Sequence, residues 1–310
     1  MRSDARPPAT SRSRRRSARL LLLVSALIAL VILAGWIPGP IGTAVSVALP
    51  LLSVFAVLIL LAVFLLVKRA AIPAAVAVLV CVIASAPALP ALAAAPAQTS
   101  LTIASQNVHA RSGSAAGSAA DLLAEHPDVI TLTELDAASR TAAAEILSAE
   151  YPHAYAVGTV GIWSEHPLEA GEPLSLGLGW NRALRVTVDA PSGAVRVYLV
   201  HAASVRPGAQ DARDRMLEEL AAIVREDPAS RIVALGDFNA ATTDPALRPL
   251  SDALELARPT DSVTGFTWPA DLPLVKIDHV FQRGFAVSSA GTVRAGTSDH
   301  LATMTTLSPR

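Results

Sequence analysis

Three long apolar runs in the first hundred residues constrain this chain more than any other feature of its sequence. They are Leu20–Ile37, Val45–Val67 and Ile72–Leu92, and none contains a charged residue. A helix that crosses a bilayer needs about 20 consecutive apolar residues, a length that the first two runs meet well. The third run is alanine-rich and contains three prolines, which makes it the weakest of the set. The sequence therefore predicts a membrane region at residues 20–92 with three transmembrane helices.

The distribution of basic residues predicts how these helices are oriented. Five arginines lie within residues 12–19, residues 38–44 carry no charge, and Lys68 and Arg69 separate the second and third runs. Lysine and arginine concentrate in the cytoplasmic loops of membrane proteins. We therefore expect a multi-pass protein of the cell membrane with a basic cytoplasmic tail at residues 1–19. Three crossings would leave a short linker at residues 93–100 and an extracellular domain at residues 101–310.

Two alternatives to a three-helix anchor remain open. The first run could be the apolar core of a signal peptide, although it is long for one and two further runs follow it. The alanine-rich stretch at residues 91–95 resembles a peptidase cleavage site, so the C-terminal domain could also be released.

The C-terminal two thirds of the chain have a different composition. Residues 100–310 contain 16 lysines and arginines against 25 aspartates and glutamates, a net of −9, whereas the whole chain has a formal charge of −1. About 210 residues are ample for one α/β core. Nucleic-acid binders usually carry a basic surface, and this composition does not favour one. Cys81 is the only cysteine, so the chain can form no internal disulfide.

Helical and strand patterns alternate along this part of the chain. Helices are predicted at residues 115–125, 137–150 and 211–226, the last with apolar residues at helical spacing. Strands are predicted at residues 182–189 and 194–201, joined as a hairpin by Pro191-Ser192-Gly193. The alternation indicates one α/β domain without internal repeats.

Polar residues follow the short apolar strands at their C-terminal ends, and we expect them to share one edge of a sheet. They are Asn107, Glu134, His201, Asp237 and Asn239. Carboxylate and amide oxygens suit Mg²⁺ or Mn²⁺, while zinc is a poorer fit because no His-x-x-x-His spacing is present. Hydrolysis of a phosphate ester needs a cation against the phosphoryl oxygens and a carboxylate or imidazole that aligns water. These residue types match that chemistry.

Six short motifs occur in an order that resembles the endonuclease/exonuclease/phosphatase family. They are Gln106-Asn107-Val108, Thr133-Glu134-Leu135, Val200-His201, Gly236-Asp237-Phe238-Asn239, Ile277-Asp278-His279 and Ser298-Asp299-His300. The resemblance covers roughly residues 100 to 307 and depends on the whole series. It implies a four-layer α/β sandwich, in which two packed mixed sheets are flanked by helices, preceded here by the transmembrane helical region.

The resemblance also implies a metal site, with Mg²⁺ or Mn²⁺ as the cofactor. Glu134 matches the principal metal-ligand glutamate, and Asn107 and Asp299 match residues of the metal and phosphate shell. Two departures stand out. His109 and its neighbours replace the usual small residues after Asn107, which leaves the environment of a second metal undetermined. Glu165 replaces a common arginine, so we expect one phosphate-side cation to be missing.

Five further positions match catalytic residues of the family. Asp237 matches the aspartate that orients or deprotonates the attacking water, and Asn239 matches its partner in the phosphate site. His300 matches the histidine that stabilises the phosphate in the transition state, and Asp278 the carboxylate that orients this imidazole. His201 matches a second histidine that is a candidate general acid for the leaving oxygen.

The remaining histidines favour structural interpretations. His279 follows Asp278 on an alternating strand and should point the other way. We expect His109, His126, His153 and His166 to be surface or turn residues. Trp268 could line the substrate cleft or simply pack beside Pro269.

Taken together, the sequence predicts a membrane-anchored, externally facing, metal-dependent phosphoesterase that hydrolyses a phosphodiester or phosphomonoester. Its expected partners are a phospholipid head group, a small phosphoester or a nucleic acid as substrate, and the lipid bilayer around the N-terminal helices. No protein partner is predicted. An extracellular nuclease of the same fold is the main alternative, and a non-catalytic binding domain is a further one.

Overall fold

The chain divides into two compact units, residues 1–87 and residues 88–310. The computed structural model describes residues 9–66, 71–91, 100–206 and 210–310. The predicted linker at residues 93–100 lies almost wholly outside the described residues, and so do the first eight residues of the predicted basic tail. The domain limits inferred from the sequence therefore stay predictions.

The first unit consists of apolar helices. These are α1 (Ala9–Ala34), α2 (Pro40–Leu66) and α3 (Ala71–Ser85), with a short 3₁₀ turn at Ala86–Ala88. By length and composition, Pro40–Leu65 is the one helix of the described residues that could cross a membrane, since the apolar parts of α1 and α3 are shorter. Helix α1 begins within the stretch predicted to be the basic tail. The three-span topology thus stays a prediction.

The second unit alternates strands and helices. Its helices are α4 (Ala115–Ala124), α5 (Ala137–Leu147), α6 (Gln210–Glu226) and α7 (Arg248–Ser251). Its strands are β1 (Leu101–Asn107), β2 (Val129–Thr133), β3 (His153–Val157), β4 (Val160–Ser164), β5 (Leu168–Leu174), β6 (Ala183–Ala190), β7 (Gly193–His201), β8 (Ile232–Asp237), β9 (Glu255–Leu256), β10 (Asp278–Arg283), β11 (Phe285–Val293) and β12 (Ala302–Pro309).

Within the described residues the strands form two six-stranded mixed sheets. Sheet A has the order β11-β12-β1-β2-β4-β3, and sheet B has the order β5-β6-β7-β8-β10-β9. One apolar core lies between the sheets, a second lies under α4 and α5 on sheet A, and a third lies under α6 and α7 on sheet B. The predicted four-layer α/β sandwich is therefore confirmed.

The predicted helices and hairpin form for local reasons. The Asp136 carboxylate accepts a hydrogen bond from Ser139 N at 2.8 Å and so caps the start of α5. Helix α5 ends at Leu147, three residues before its predicted end, and the next hydroxyl, that of Ser148, bonds back to Ala144 O. Helix α6 buries Met216 and its apolar neighbours at helical spacing. Strands β6 and β7 form the predicted hairpin.

The strand directions bring several polar residues to one edge of the sandwich. β1 runs parallel to β2 in sheet A, and β7 runs parallel to β8 in sheet B, so both pairs end at this edge. His201 and Asp237 lie side by side at the end of the second pair. Strand β10 runs antiparallel to β8 and begins here, which pairs Asp278 directly with Asp237.

Candidate active site

Sharp turns at the ends of the strands aim the polar side chains along this edge. Glu134 has a φ of 61° and Asn239 a φ of 47°, the left-handed region that non-glycine residues rarely adopt. Gly236 has a φ of 124°, and a Cβ atom there would lie 2.1 Å from Val200 O. Only glycine fits at this position, which explains the Gly236-Asp237 pair at the end of β8.

Asn107 links two carboxylates that come from different sheets. Its Nδ2 donates to Glu134 Oε1 at 3.1 Å and to Asp237 Oδ2 at 3.0 Å, while its Oδ1 accepts from His109 N. The amide therefore orients the carboxylates, and its oxygen is already engaged by the backbone. As a metal ligand, the role predicted for it, Asn107 would have to turn its oxygen toward the carboxylates.

The Glu134 carboxylate remains ionised in this environment. It lies 3.4 Å from His201 Nε2 and accepts a hydrogen bond from Ala110 N at 2.9 Å. The contact with His201 is the main reason that the pKa of Glu134 falls well below its usual value, and it outweighs burial, which acts in the opposite direction. A permanently charged carboxylate is what a hard divalent cation requires.

Asp237 is the common member of two groups that could hold a metal ion. Glu134, His201 and Asp237 form one group and Asp237, Asp278 and His300 the other, each with its ligand atoms within 4.8 Å of one another. Burial, reinforced by the neighbouring charge of Asp278, raises the pKa of Asp237. Its carboxylate can therefore accept a proton more readily than an exposed aspartate.

Asp278 and His300 form a buried ion pair. His300 Nδ1 donates to Asp278 Oδ2 at 2.8 Å, and both side chains are almost fully buried. Burial alone would lower the pKa of His300, but the charge and the hydrogen bond of Asp278 overcome it and raise this pKa to about 10. His300 is therefore an imidazolium at neutral pH, with Nδ1 held by the carboxylate.

Asparagine 239 closes the turn after Asp237. Its backbone N–H donates to Asp237 Oδ1 at 2.8 Å, and its Nδ2 lies 3.1 Å from Asp237 Oδ2 and 3.0 Å from Ala202 O. Arg213, which is fully buried in α6, donates from Nη1 to Asn239 O at 2.9 Å and to Asp244 Oδ2 at 2.8 Å. The left-handed turn is thus supported from behind by a buried ion pair.

The structure does not bring the Asp299 carboxylate into either candidate metal group. Ser298 and His300 are buried, whereas the Asp299 side chain between them is 45% exposed. Its oxygens lie 3.3 Å from His109 Nδ1 and 3.4 Å from Trp268 Nε1. A metal contact from Asp299 stays a prediction, and the described contacts place this residue at the rim.

His109 lies closer to the candidate site than its sequence context indicated. It occupies a turn with a φ of 55° and is half exposed, as expected, but its ring meets Asp299. Trp268, partly exposed, lies on the other side of the same carboxylate. The two aromatic rings therefore border the site together.

The expectation that Glu165 leaves the site without a phosphate-side cation was wrong. Strand β4 runs antiparallel to β2, so Val160 pairs with Thr133 at the edge that carries the candidate site, and Ser164 pairs with Val129 at the opposite edge. Glu165 follows Ser164 and bonds to Asp128 O at that far edge. The residue at position 165 therefore does not contribute a charge to the candidate site.

Arg182 supplies a cation that the sequence analysis missed. It directly precedes β6, and its Nη2 lies 2.8 Å from His201 Nδ1 and also contacts Nε2. Its guanidinium stacks on the Trp180 ring at 5.0 Å. Burial lowers the pKa of Arg182, and the negative charges of Asp237 and Glu134 partly offset this effect. The sequence signal for this cation was the position of Arg182, which follows Trp180-Asn181 and directly precedes the predicted hairpin.

His279 points away from the site, as predicted. Its Nε2 lies 2.9 Å from Ala240 O, and its ring packs edge-on against Phe238. Burial, together with the nearby charge of Lys276, lowers the pKa of His279 to about 3. This histidine is therefore a neutral part of the core.

The chain belongs to the Endonuclease/Exonuclease/phosphatase family, whose match extends over residues 104–300. No sequence among the curated proteins matches it. Several solved structures share its fold at low sequence identity.

Sphingomyelinase C from Streptomyces griseocarneus is 18% identical with a TM-score of 0.52, and the match covers 67% of this chain and 99% of that chain. TDP2 from D. rerio, complexed with a single-strand DNA product, is 17% identical with a TM-score of 0.55, covering 68% and 100%. An endonuclease/exonuclease/phosphatase from Beutenbergia cavernae is 23% identical with a TM-score of 0.52, covering 68% and 72%. These similarities establish the fold.

Proposed function

We propose that the protein is a membrane-anchored, externally facing, Mg²⁺- or Mn²⁺-dependent phosphoesterase that hydrolyses a phosphodiester or phosphomonoester. One observation carries this proposal. Asp237, a buried carboxylate with a raised pKa, lies between an ionised Glu134 and the Asp278–His300 ion pair. A binding module has no need for a proton acceptor beside a fixed imidazolium, whereas hydrolysis of a phosphate ester uses both.

Each residue has a role that its contacts support. Asp237 accepts the proton of the attacking water and holds that water in line, while Asn239 keeps the carboxylate in place. His300 places positive charge against the phosphoryl oxygens as charge develops there. His201 faces the leaving oxygen as its proton donor, and Arg182 adds a second positive charge on that side.

The donor set fits a hard divalent cation. Glu134 would hold it, with Asn107 orienting its carboxylate and with Asp237 and His201 beside it in their proton-transfer roles. A bound Mg²⁺ or Mn²⁺ would supply positive charge that offsets the charge of the phosphate ester.

Chelation tests the dependence on a metal. The purified full chain should hydrolyse a chromogenic phosphodiester in Mg²⁺ or Mn²⁺, lose this activity in EDTA and regain it when the cation is restored. Glu134→Gln keeps the size of the side chain and should reduce metal binding measured by calorimetry. Full activity after exhaustive chelation would contradict the metal site, and full activity in Glu134→Gln would contradict the ligand assignment.

Exposed apolar side chains support the membrane attachment. Many large hydrophobic residues of α1, α2 and α3 are half or more exposed, among them Leu23, Leu30, Phe55, Phe64, Leu79 and Ile83. Soluble proteins rarely expose such a surface, because each of these side chains would be more stable out of water. Together with the span at Pro40–Leu65 and the basic residues that precede the apolar part of α1, this surface supports a lipid environment.

The external orientation can be tested with reporter fusions. A reporter that is active only after export, fused after Arg310, should be active, and one that is active only in the cytoplasm should not be. The reverse pattern would rule out the three-span orientation. A fusion after Lys68 provides the matched cytoplasmic control.

A substrate panel separates phosphoesterase classes of the same fold. It should include plasmid DNA, sphingomyelin, phosphatidylinositol phosphates and a chromogenic phosphodiester. The acidic composition of residues 100–310 favours the lipid and small-molecule substrates over DNA, since DNA binding usually depends on basic surface. Cleavage of DNA with no turnover of the other substrates would establish the nuclease alternative instead.

A further inference from the structure

A loop beside the candidate active site exposes an unusual number of large apolar side chains. It comprises residues 259–275, between β9 and β10, and is called the 259–275 loop below. Within it Val263 is 76% exposed, Leu272 67%, Leu274 42% and Trp268 38%. Single exposed hydrophobics are common on protein surfaces, but several on one short segment indicate a contact surface.

Three of the exposed residues, Trp268, Leu272 and Leu274, lie on a tight and well-supported turn. Trp268 and Val275 form an antiparallel bridge, Leu274 N donates to Trp268 O at 3.0 Å, and Leu272 N donates to Pro269 O at 3.2 Å. The turn therefore has backbone order of its own. Its apolar side chains remain exposed even though the backbone is organised.

The same loop is bonded to the catalytic segment. Leu301 N donates to Thr267 O at 2.8 Å, and Ala270 N donates to Asp299 O at 2.7 Å. Thr267 Oγ1 also accepts from Asp278 N at 3.3 Å. A molecule that contacts the exposed residues of this loop is therefore held next to the Asp278–His300 pair.

The loop is also bonded to the chain that follows the last apolar helix. Ala91 N donates to Pro259 O at 2.8 Å. Ala91 comes three residues after Ala88, the last residue of the apolar segment Ile72–Ala88. Leu89, which is 44% exposed, adds to the apolar surface here.

The two charged residues of the loop are both aspartates. Asp271, whose side chain is 90% exposed, is paired with Arg294. Asp261 lies against Gly291 of β11, where its carboxylate would clash with an added Cβ atom, so it faces sheet A. The most exposed apolar side chains, Val263 and Leu272, carry no charge.

We propose that the 259–275 loop is an interfacial contact that rests on the bilayer and inserts Val263, Leu272 and Leu274 among the lipid head groups. This inference rests on the proposed membrane attachment, and it assigns the substrate as a phosphoester borne by a lipid. Trp268 lies between the apolar side chains of the loop and the Asp299 carboxylate. Tryptophan is enriched in such positions at membrane–water interfaces, where one side of the ring is apolar and the other is polar. A lipid head group would then reach His300 without leaving the membrane surface.

Site-specific fluorescence tests the contact. In the full chain with Cys81→Ala, Leu272→Cys is labelled with an environment-sensitive fluorophore and reconstituted into vesicles of phosphatidylcholine and phosphatidylglycerol. Ile146→Cys is the matched control, because Ile146 is an exposed apolar residue of α5, outside the loop. The label at 272 should shift to the blue and be quenched by spin-labelled lipid, whereas the label at 146 should be quenched by iodide. Equal iodide quenching at both sites would overturn the proposal.

Activity provides an independent measurement. Val263→Ser with Leu272→Ser should lower the rate on vesicle-borne sphingomyelin or phosphatidylinositol phosphate by about 100-fold, since burial of each of the two side chains is worth roughly tenfold. The rate on the soluble chromogenic diester should not change, and Ile146→Ser should alter neither rate. Equal losses on both substrates, or turnover of DNA alone, would overturn the lipid assignment. If no substrate is hydrolysed, the proposed function fails, while the fluorescence still decides the contact.

Discussion

Replacing Asp278 by asparagine should change the pH at which the protein works. His300 has a pKa of about 10 because the adjacent carboxylate outweighs the effect of burial. Asparagine keeps the size of the side chain but removes this charge. Without the carboxylate, the pKa of His300 should fall to about 6.5 or below, the range of an ordinary or buried histidine.

The pKa values of His300 with and without the Asp278 carboxylate determine the direction and size of the change in activity. A group with a pKa of about 10 is almost fully protonated at a pH of about 8, whereas a group with a pKa of 6.5 is only about 3% protonated there. If His300 acts as an imidazolium, Asp278→Asn should lose about thirtyfold in kcat at that pH from protonation alone. The loss should shrink as the pH falls below about 6.5, because His300 regains its proton.

The assay is a pH profile of kcat and kcat/KM on a chromogenic phosphodiester at saturating Mg²⁺. The unchanged protein should show no falling limb up to a pH of about 9, and Asp278→Asn should show one near or below 6.5. Asp278→Glu, which keeps the charge, is the matched control and should retain most of the alkaline activity. Circular dichroism checks that each variant is folded.

Two outcomes would refute this reasoning. If Asp278→Asn had the same alkaline limb as the unchanged protein, protonated His300 would not be required. If the losses of Asp278→Asn and His300→Ala multiplied in the double variant, the two residues would not act as one unit. In either case His201 would become the leading catalytic histidine.

Three other variants test neighbouring features. Arg182→Gln should lower kcat/KM by roughly 10- to 100-fold through loss of a cation beside the phosphate, with Arg182→Lys retaining more activity, as measured by steady-state kinetics. Arg213→Met should destabilise the fold by about 3–5 kcal/mol in denaturant titrations, because Asp244 is left buried and unpaired. Lys276→Met should raise the free energy of unfolding by up to about 3 kcal/mol at neutral pH. Burial lowers the pKa of Lys276 to about 8, so its charged form destabilises the fold, and the gain should shrink as the pH rises from about 8 toward 10.5.

Much of the α/β domain could be predicted from the sequence, because strand patterns and strand-end polar residues are local signals. The helix at α6 and the β6–β7 hairpin agree with the structure, and so does the four-layer sandwich that the family resemblance implied. The direction of His279, away from the candidate site and into the core, also followed from the alternation of side chains along β10.

Features that depend on strand pairing could not be predicted. Glu165 lies at the far edge only because β4 runs antiparallel to β2, and no local pattern indicates that direction. Arg182 lies opposite His201 at the open end of the predicted β6–β7 hairpin, but His109 meets Asp299 from a segment 190 residues away. Such contacts are set by tertiary packing, which the residues beside them in the sequence do not encode.

The position of β12 has a consequence for how the protein is made. In sheet A this strand, Ala302–Pro309, lies between β11 and β1, and Leu307 pairs with Leu101. The first strand of the domain therefore has no neighbour on one side until the last strand emerges from the ribosome. Pairing between such distant segments is slow, since a long loop must close first. An exported domain of this topology would cross the membrane unfolded, and its hydrolytic site would assemble only after the polypeptide has been delivered.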